Sequence, residues 1–222
     1  MRKIILPLLL LSLMACNGPV PPPANTTPAP LRRSHSTQPQ PTGSQNFDYY
    51  LLNLSWSPEF CYSHPDAAEC GRHASFVLHG LWPQDTNGSY PQHCSNAPGP
   101  ANPSAYSDIY PDPGLLEHEW QTHGTCSGLP PDEFFGLART AFDLIKVPSQ
   151  LAQLNTQVSM APEQILSLMA ESNPSIPRSS LALSCGNNYL TAIEVCLDKQ
   201  LHPIACGPVR SCRAVSVRIP PP

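Results

Sequence analysis

Eight cysteines spread between Cys61 and Cys212 restrict what this chain can fold into more than any other feature. They are Cys61, Cys70, Cys94, Cys126, Cys185, Cys196, Cys206 and Cys212, and a ninth, Cys16, stands apart. Whether such a set staples loops together or binds metal depends on the compartment. The first sixteen residues speak to that. Arg2 and Lys3 precede the apolar run Ile4 to Met14, then Ala15-Cys16, a basic head and apolar stretch too short to span a bilayer. That pattern predicts a secretory signal and an oxidising destination, so the eight cysteines are expected to form four disulfides. Zinc is the rival reading, but there is no CxxC pair and the spacings are irregular. Cys61–Cys70 and Cys196–Cys206 are near enough in sequence to pair locally, although eight cysteines allow 105 connectivities.

The odd cysteine has its own reading. Leu13-Met14-Ala15-Cys16 resembles a bacterial lipobox, in which the cysteine is acylated, so residues 1–16 are expected to act as signal and lipobox. Residues 17–45 hold eight prolines among Ser, Thr and Gln, with too little apolar surface to fold, and predict a disordered tether. A folded domain is expected over 46–222, within the size of a single domain. From Asn46 onward there are eight Lys and Arg against 16 Asp and Glu. A protein that grips nucleic acid by neutralising its backbone is usually basic, so any nucleic acid met here would be a transient substrate.

Within the domain, Phe47 to Trp56, Ser75 to Leu81, Ser180 to Cys185, Tyr189 to Leu197 and Arg213 to Ile219 read as strands. Leu115 to Thr125 reads as a helix started by Asp112-Pro113-Gly114. Pro131 to Ile145 reads as another, with Phe134, Leu137, Ala141 and Leu144 at 3–4 spacing, and Ala161 to Glu171 as a third. Strands and helices mix without regular alternation. That predicts an α+β fold, a central antiparallel sheet packed with several helices in one disulfide-stabilised domain.

Two segments carry chemistry: FVLHGLWP (Phe76 to Pro83) and EHEWQTHGTC (Glu117 to Cys126). They supply His79, His118 and His123 beside Glu119 and Trp82. Moving one proton on and another off near neutral pH calls for two imidazoles, because histidine alone titrates there unperturbed. Projected at about 100° per residue, His118, Thr122, Glu119 and His123 share one helical arc of roughly 140°, with Trp120 turned toward the core. At i,i+4, Glu119 is placed to orient the His123 ring or raise its pKa. His118-Glu119 followed by His123 imitates the zinc motif HExxH, but the spacing is i,i+5 where the motif needs i,i+4, so no metal or other cofactor is expected.

Both segments, together with YYLLNLSWSPEFC (Tyr49 to Cys61), resemble the active-site signatures of the ribonuclease T2 family across about Asp48 to Cys212. The resemblance implies metal-independent cleavage of single-stranded RNA through a 2′,3′-cyclic phosphate. It makes His123 the general base, His79 the general acid, His118 the phosphate-binding histidine, Glu119 the carboxylate assisting the transition state and Trp82 a ring near the base pocket. One position departs from the family: the lysine usual before the second catalytic histidine is Thr122, a hydroxyl without charge. Slower turnover is expected, with His118 as imidazolium and Arg72 partly substituting; the alternative is a catalytically weakened RNA-binding or toxin-like member. Gln84 stands where the family contacts the base, so base preference does not transfer. Cys126 is expected to bridge to Cys94. His64 and His93, in cysteine-flanked loops, are assigned solvated or structural roles, as is His35 in the tether. Tyr49, Tyr50 and Trp56 are assigned to the core, Trp56 being the ring that a substrate groove could expose. The partner expected is RNA substrate alone, with no obligate protein partner and a monomeric state; the location expected is the periplasm or outer envelope if Cys16 carries a lipid anchor, and otherwise secretion after ordinary cleavage nearby.

Overall fold

The computed structural model describes residues 46–72 and 75–222. The expected signal, the acylation candidate Cys16 and the tether lie outside the described residues. The chain runs β1 (Tyr49–Trp56), α1 (Ser57–Ser63), β2 (Phe76–Gln84), α2 (Pro113–Thr122), α3 (Pro131–Asp143), α4 (Ser149–Ala152), β3 (Val158–Met160), α5 (Pro162–Ser172), β4 (Leu181–Gly186), β5 (Tyr189–Leu197) and β6 (Val217–Ile219). The sheet order is β2-β1-β5-β6-β3, with β4 also paired to β5. This is an α+β fold. Four strand pairings are antiparallel, as expected, while β5 and β6 meet in parallel at Tyr189 and Arg218. The segment between Leu197 and Val217 crosses back before β6 begins, which a parallel neighbour requires.

Alternation along β1 divides the sheet into two faces. Tyr50, Leu52, Leu54 and Trp56 enter the main core with Trp120, Phe134, Phe135, Ile165 and Leu166. Tyr49 and Leu51 face the other way, against Ala182, Cys196 and Cys206. Both faces are apolar over Tyr49 to Leu52, which is why β1 opens on a continuous hydrophobic run before Asn53 and Ser55. Trp56, Trp120, Phe134 and Phe135 are wholly buried, each worth about 1.5–3 kcal/mol. Trp56 is therefore core and offers no ring to substrate; its Nε1 donates to Pro220 O at 3.1 Å.

Helix α3 buries Phe134 and Ala141 as expected, but Phe135 and Ala138 take the places expected of Leu137 and Leu144. Leu137 is half-buried and Leu144, just past the helix end, is 45% exposed. The two adjacent phenylalanines both reach the core and rotate the helix away from Leu144. Helix α1, helix α4 and strand β3 are too short to announce themselves by periodicity. Four disulfides join Cys61–Cys70, Cys94–Cys126, Cys185–Cys212 and Cys196–Cys206. The second ties the loop after β2 to the turn after α2.

Candidate active site

Strand β2 lies at the edge of the sheet and carries the first histidine segment. Its register against β1 slips by one: Asn53 faces Gly80, but Leu54 faces Leu78, so His79 has no partner. This is a β-bulge. On a regular strand, residues three apart point to opposite faces, and His79 and Trp82 could not share a site. The extra residue resets the alternation and brings His79, Trp82 and Gln84 to one side. A Cβ at Gly80 would collide with the Glu119 carboxylate and the Trp82 indole nitrogen. Glycine there allows α2 to press its carboxylate against the strand.

Helix α2 begins as the sequence indicates, with Asp112 Oδ1 accepting from Gly114 N at 2.8 Å and Pro113 in the first turn. It ends earlier than expected, at Thr122. His123 leaves the helix at φ −116°, ψ −47°, and Gly124–Cys126 form a 3-10 turn. A Cβ at Gly124 would collide with the Trp120 ring and crowd Phe134. The tight packing of that turn onto the core is what takes His123 off the helical arc. Trp120 Nε1 donates to Ala97 O at 2.7 Å and Gln121 Nε2 to the same oxygen at 3.1 Å, fixing the outer loop to α2.

The Trp82 indole occupies the middle of the result. His79 meets it edge-on at 5.4 Å between ring centres, and His123 stacks on it at 5.1 Å and 27°. Trp82 Nε1 donates to Glu119 Oε2 at 2.8 Å. Glu119 Oε1 lies 3.6 Å from His79 Nε2 and has no hydrogen-bond partner. On its far side, His79 Nδ1 is 3.0 Å from Ser55 Oγ, so the serine can accept from the ring and leave Nε2 facing the carboxylate. His118 Nδ1 is 3.5 Å from Thr122 Oγ1, and its ring centre is 6.4 Å from that of His123. His79, Trp82, Gln84, His118, Glu119, Thr122 and His123 all line one cavity of about 570 Å³.

Three expectations need correction. Glu119 does not orient His123: its carboxylate turns to Trp82 and His79. Nor is the His123 pKa raised. Burial, and then the charges of His118, His79 and His93, pull it down to about 4. Arg72 cannot substitute for a cation at position 122, because its guanidinium donates to Ser107 O and Asp108 O and does not line the cavity. The loop after β2 does reach the cavity, through Tyr90, Gln92 and His93, none of which the sequence singled out as site residues. Asp48 anchors that loop by accepting from Thr86 N and Thr86 Oγ1, both at 2.7 Å.

Burial sets the remaining charges. Glu119, almost wholly enclosed, is pushed up to about 8, the Trp82 hydrogen bond only partly opposing this. The His79 pKa is lowered, first by burial and then by the charge of His118. The His79–Glu119 contact, at 3.6 Å, is longer than a hydrogen bond, and burial works against charge on both partners. His123 Nδ1 is closed off without a partner, so proton exchange at this ring runs through Nε2.

The early end of α2 also reopens the metal question. His118, Glu119 and His123 offer donor atoms that all lie within 4.8 Å of one another, which a continuous helix with i,i+5 spacing would not allow. Ligands of a tetrahedral zinc sit roughly 3.3 Å apart, so the set would have to contract and Glu119 to leave Trp82.

A family model, the Ribonuclease T2 family, matches residues 47–206. The chain belongs to the ribonuclease T2 family. A protein named Ribonuclease from Aeromonas hydrophila is 49% identical over 94 residues, 41% of this chain and 43% of that protein. A probable ribonuclease from Haemophilus influenzae is 28% identical over 179 residues, 72% of this chain and 61% of that protein. The chain thus spans less than two thirds of the length of these T2-family relatives. Among solved structures, an RNase-related protein from Calystegia sepium superposes with a TM-score of 0.66 at 24% identity, covering 78% of this chain and 97% of that one. At that identity the likeness establishes the shared fold.

Proposed function

We propose that the protein is an endoribonuclease that cleaves single-stranded RNA by metal-independent transesterification, forming a 2′,3′-cyclic phosphate and then 3′-phosphate ends. The observation that carries this reading is that His79 and His123 flank the same indole ring inside one cavity, with Glu119 beside them. His123, neutral above about pH 4, takes the 2′-hydroxyl proton at Nε2. The 2′-oxygen attacks phosphorus, and His79, protonated and held at Nδ1 by Ser55, gives its proton to the departing 5′-oxygen. Glu119, neutral below about pH 8, can donate from its unpartnered Oε1 to a non-bridging oxygen as charge builds there. His118 holds the phosphate from the exposed side. Because the nucleophile is the RNA's own hydroxyl, DNA is excluded without a dedicated contact.

Trp82 and the half-exposed Tyr90 give the cavity two rings on which a base can stack, and Gln84 an amide to contact it. The second reading, a weakened RNA-binding relative, has one observation in its favour: none of the described residues lining the cavity is a lysine or arginine. Incubation with homopolymer RNA in EDTA separates the two. Cyclic-phosphate products support turnover without metal; binding without cleavage supports the second reading, and cleavage abolished by EDTA makes the His118–Glu119–His123 set a metal site.

Four disulfides fit an oxidising compartment outside the cytosol. We further propose acylation at Cys16, with residues 17–45 tethering the enzyme to a bacterial envelope membrane. Mass spectrometry of the N-terminal peptide, in the natural protein and in Cys16→Ala, decides it.

A further inference from the structure

The substrate expected in this cavity carries a full negative charge and gains more as it reacts, yet no lysine or arginine among the described residues lines the walls. Four imidazoles do: His79, His93, His118 and His123. Two of them, His79 and His123, have the proton-transfer work and sit in surroundings that disfavour a standing charge, whereas His118 and His93 are exposed. His93 is the one the proposed reaction has not used.

Its placement is specific. The backbone N–H of His93 donates to Thr122 O at 2.9 Å, so the residue is fixed beside the position where the side chain is an uncharged hydroxyl. Its neighbour Cys94 is bonded to Cys126, and Cys94 N donates to Thr125 Oγ1 at 3.2 Å, locking the same short segment to the turn after α2. His93 also holds a left-handed backbone conformation, φ 52°, which a non-glycine residue adopts at some cost. Its charge is felt at the His123 ring. A residue at positive φ that lines the cavity, held by its own N–H and through the neighbouring Cys94, is poorly explained as a solvated loop histidine.

We propose that His93 is a second phosphate-binding group of this site, alongside His118: it faces the scissile phosphodiester beside Thr122 and supplies positive charge where no lysine or arginine among the described residues lines the cavity. The proposal rests on the reading of the cavity as an RNA-cleaving site.

The test uses the His93→Asn variant, because asparagine tolerates positive φ and the exposed site leaves no cavity. Cleavage of a dinucleoside monophosphate, which has a single phosphate, is measured for wild type, His93→Asn, Thr122→Lys and the double variant. Binding of its non-cleavable 2′-deoxy analogue is measured across salt concentrations. His93→Asn is expected to lower kcat/KM about tenfold, short of the 10²–10³ of a fully enclosed donor. It should also weaken the salt dependence of binding, since salt then has one fewer charge facing the phosphate to screen. Thr122→Lys should restore most of the loss in the His93→Asn background and add much less to wild type.

Additive effects in the four-way comparison would overturn the proposal. So would a variant that slows polymeric RNA but cleaves the dinucleoside monophosphate normally, since His93 would then meet a different phosphate. If wild type failed to cleave at all, the enzymatic reading would fall, and the binding arm would still decide whether His93 carries the charge.

Discussion

Replacing Gly80 by alanine should damage the site and the fold together, by an amount the geometry sets. The new Cβ would fall on the Glu119 carboxylate and the Trp82 indole nitrogen, inside the 2.8 Å hydrogen bond that joins them. Neither group can retreat easily, because Glu119 is fully buried on α2 and Trp82 is packed between two histidine rings. Leaving the buried carboxyl and the indole N–H without each other costs about 1–3 kcal/mol, and forcing a methyl into a filled space adds about 1–3 kcal/mol. For a domain of this size the melting temperature should fall by roughly 10 °C. Displacement of Glu119 by about 1 Å should lower kcat by roughly a hundredfold. Differential scanning calorimetry and initial rates on a dinucleoside monophosphate read both numbers from one preparation. A Gly80→Ala protein with wild-type melting and wild-type kcat would refute the argument, since β2 and α2 could then not be in the contact described.

Three other outcomes follow from the same geometry. Ser55→Ala removes the 3.0 Å partner of His79 Nδ1; kcat should fall about tenfold with KM little changed, and the alkaline limb of the pH profile should move, whereas a purely structural serine would leave that limb in place. Glu119→Gln should flatten the pH dependence of stability. Burial raises the Glu119 pKa from 4.5 to about 8 in the folded protein, so the neutral carboxyl favours folding below pH 4.5 and that contribution is lost as pH rises to about 8, by at most about 1.4 kcal/mol per pH unit. Chemical denaturation at pH 4.5 and 8 checks it: equal slopes against pH for variant and wild type would contradict the assignment. Replacing Cys94 and Cys126 by alanine opens a loop with a sequence separation of 32, worth about 3–4 kcal/mol in chain entropy. Melting should drop by roughly 10 °C; an unchanged melting point would show that the loop is held by its hydrogen bonds alone.

Much of the fold is legible in the sequence where the signal is local. Strand β5 falls where its hydrophobic run lies, α2 starts at its proline and capping aspartate, and the two disulfides between near neighbours, Cys61–Cys70 and Cys196–Cys206, form as their proximity suggests. The departures share a cause: each depends on a contact between distant segments. The bulge at His79 exists only as a register slip against β1, and a linear reading of FVLHGLWP leaves His79 and Trp82 on opposite faces. The end of α2 at Thr122 follows from Gly124 packing against Trp120 and Phe134, whereas helical projection carries straight through. That same break turns His123 away from Glu119, whose carboxylate meets His79 and Trp82, and brings His118 and His123 within reach of a common centre. Tyr90 and His93 carry no periodic signal; a cysteine between two site segments is their only mark, because a disulfide there must bring its flanking residues to the turn after α2.

The central claim is that His123 and His79 exchange two protons across one phosphate, and the pH dependence of kcat/KM on a dinucleoside monophosphate in EDTA tests it most directly. His123 must be neutral and is pulled down to about 4, which sets the rising limb. His79 must be protonated and its pKa is lowered from 6.5, which sets the falling limb below that value. The account predicts a bell with its maximum on the acid side of pH 6.5, its rising limb lost in His123→Ala and its falling limb lost in His79→Ala. A flat profile, or a maximum at or above neutrality, would contradict it.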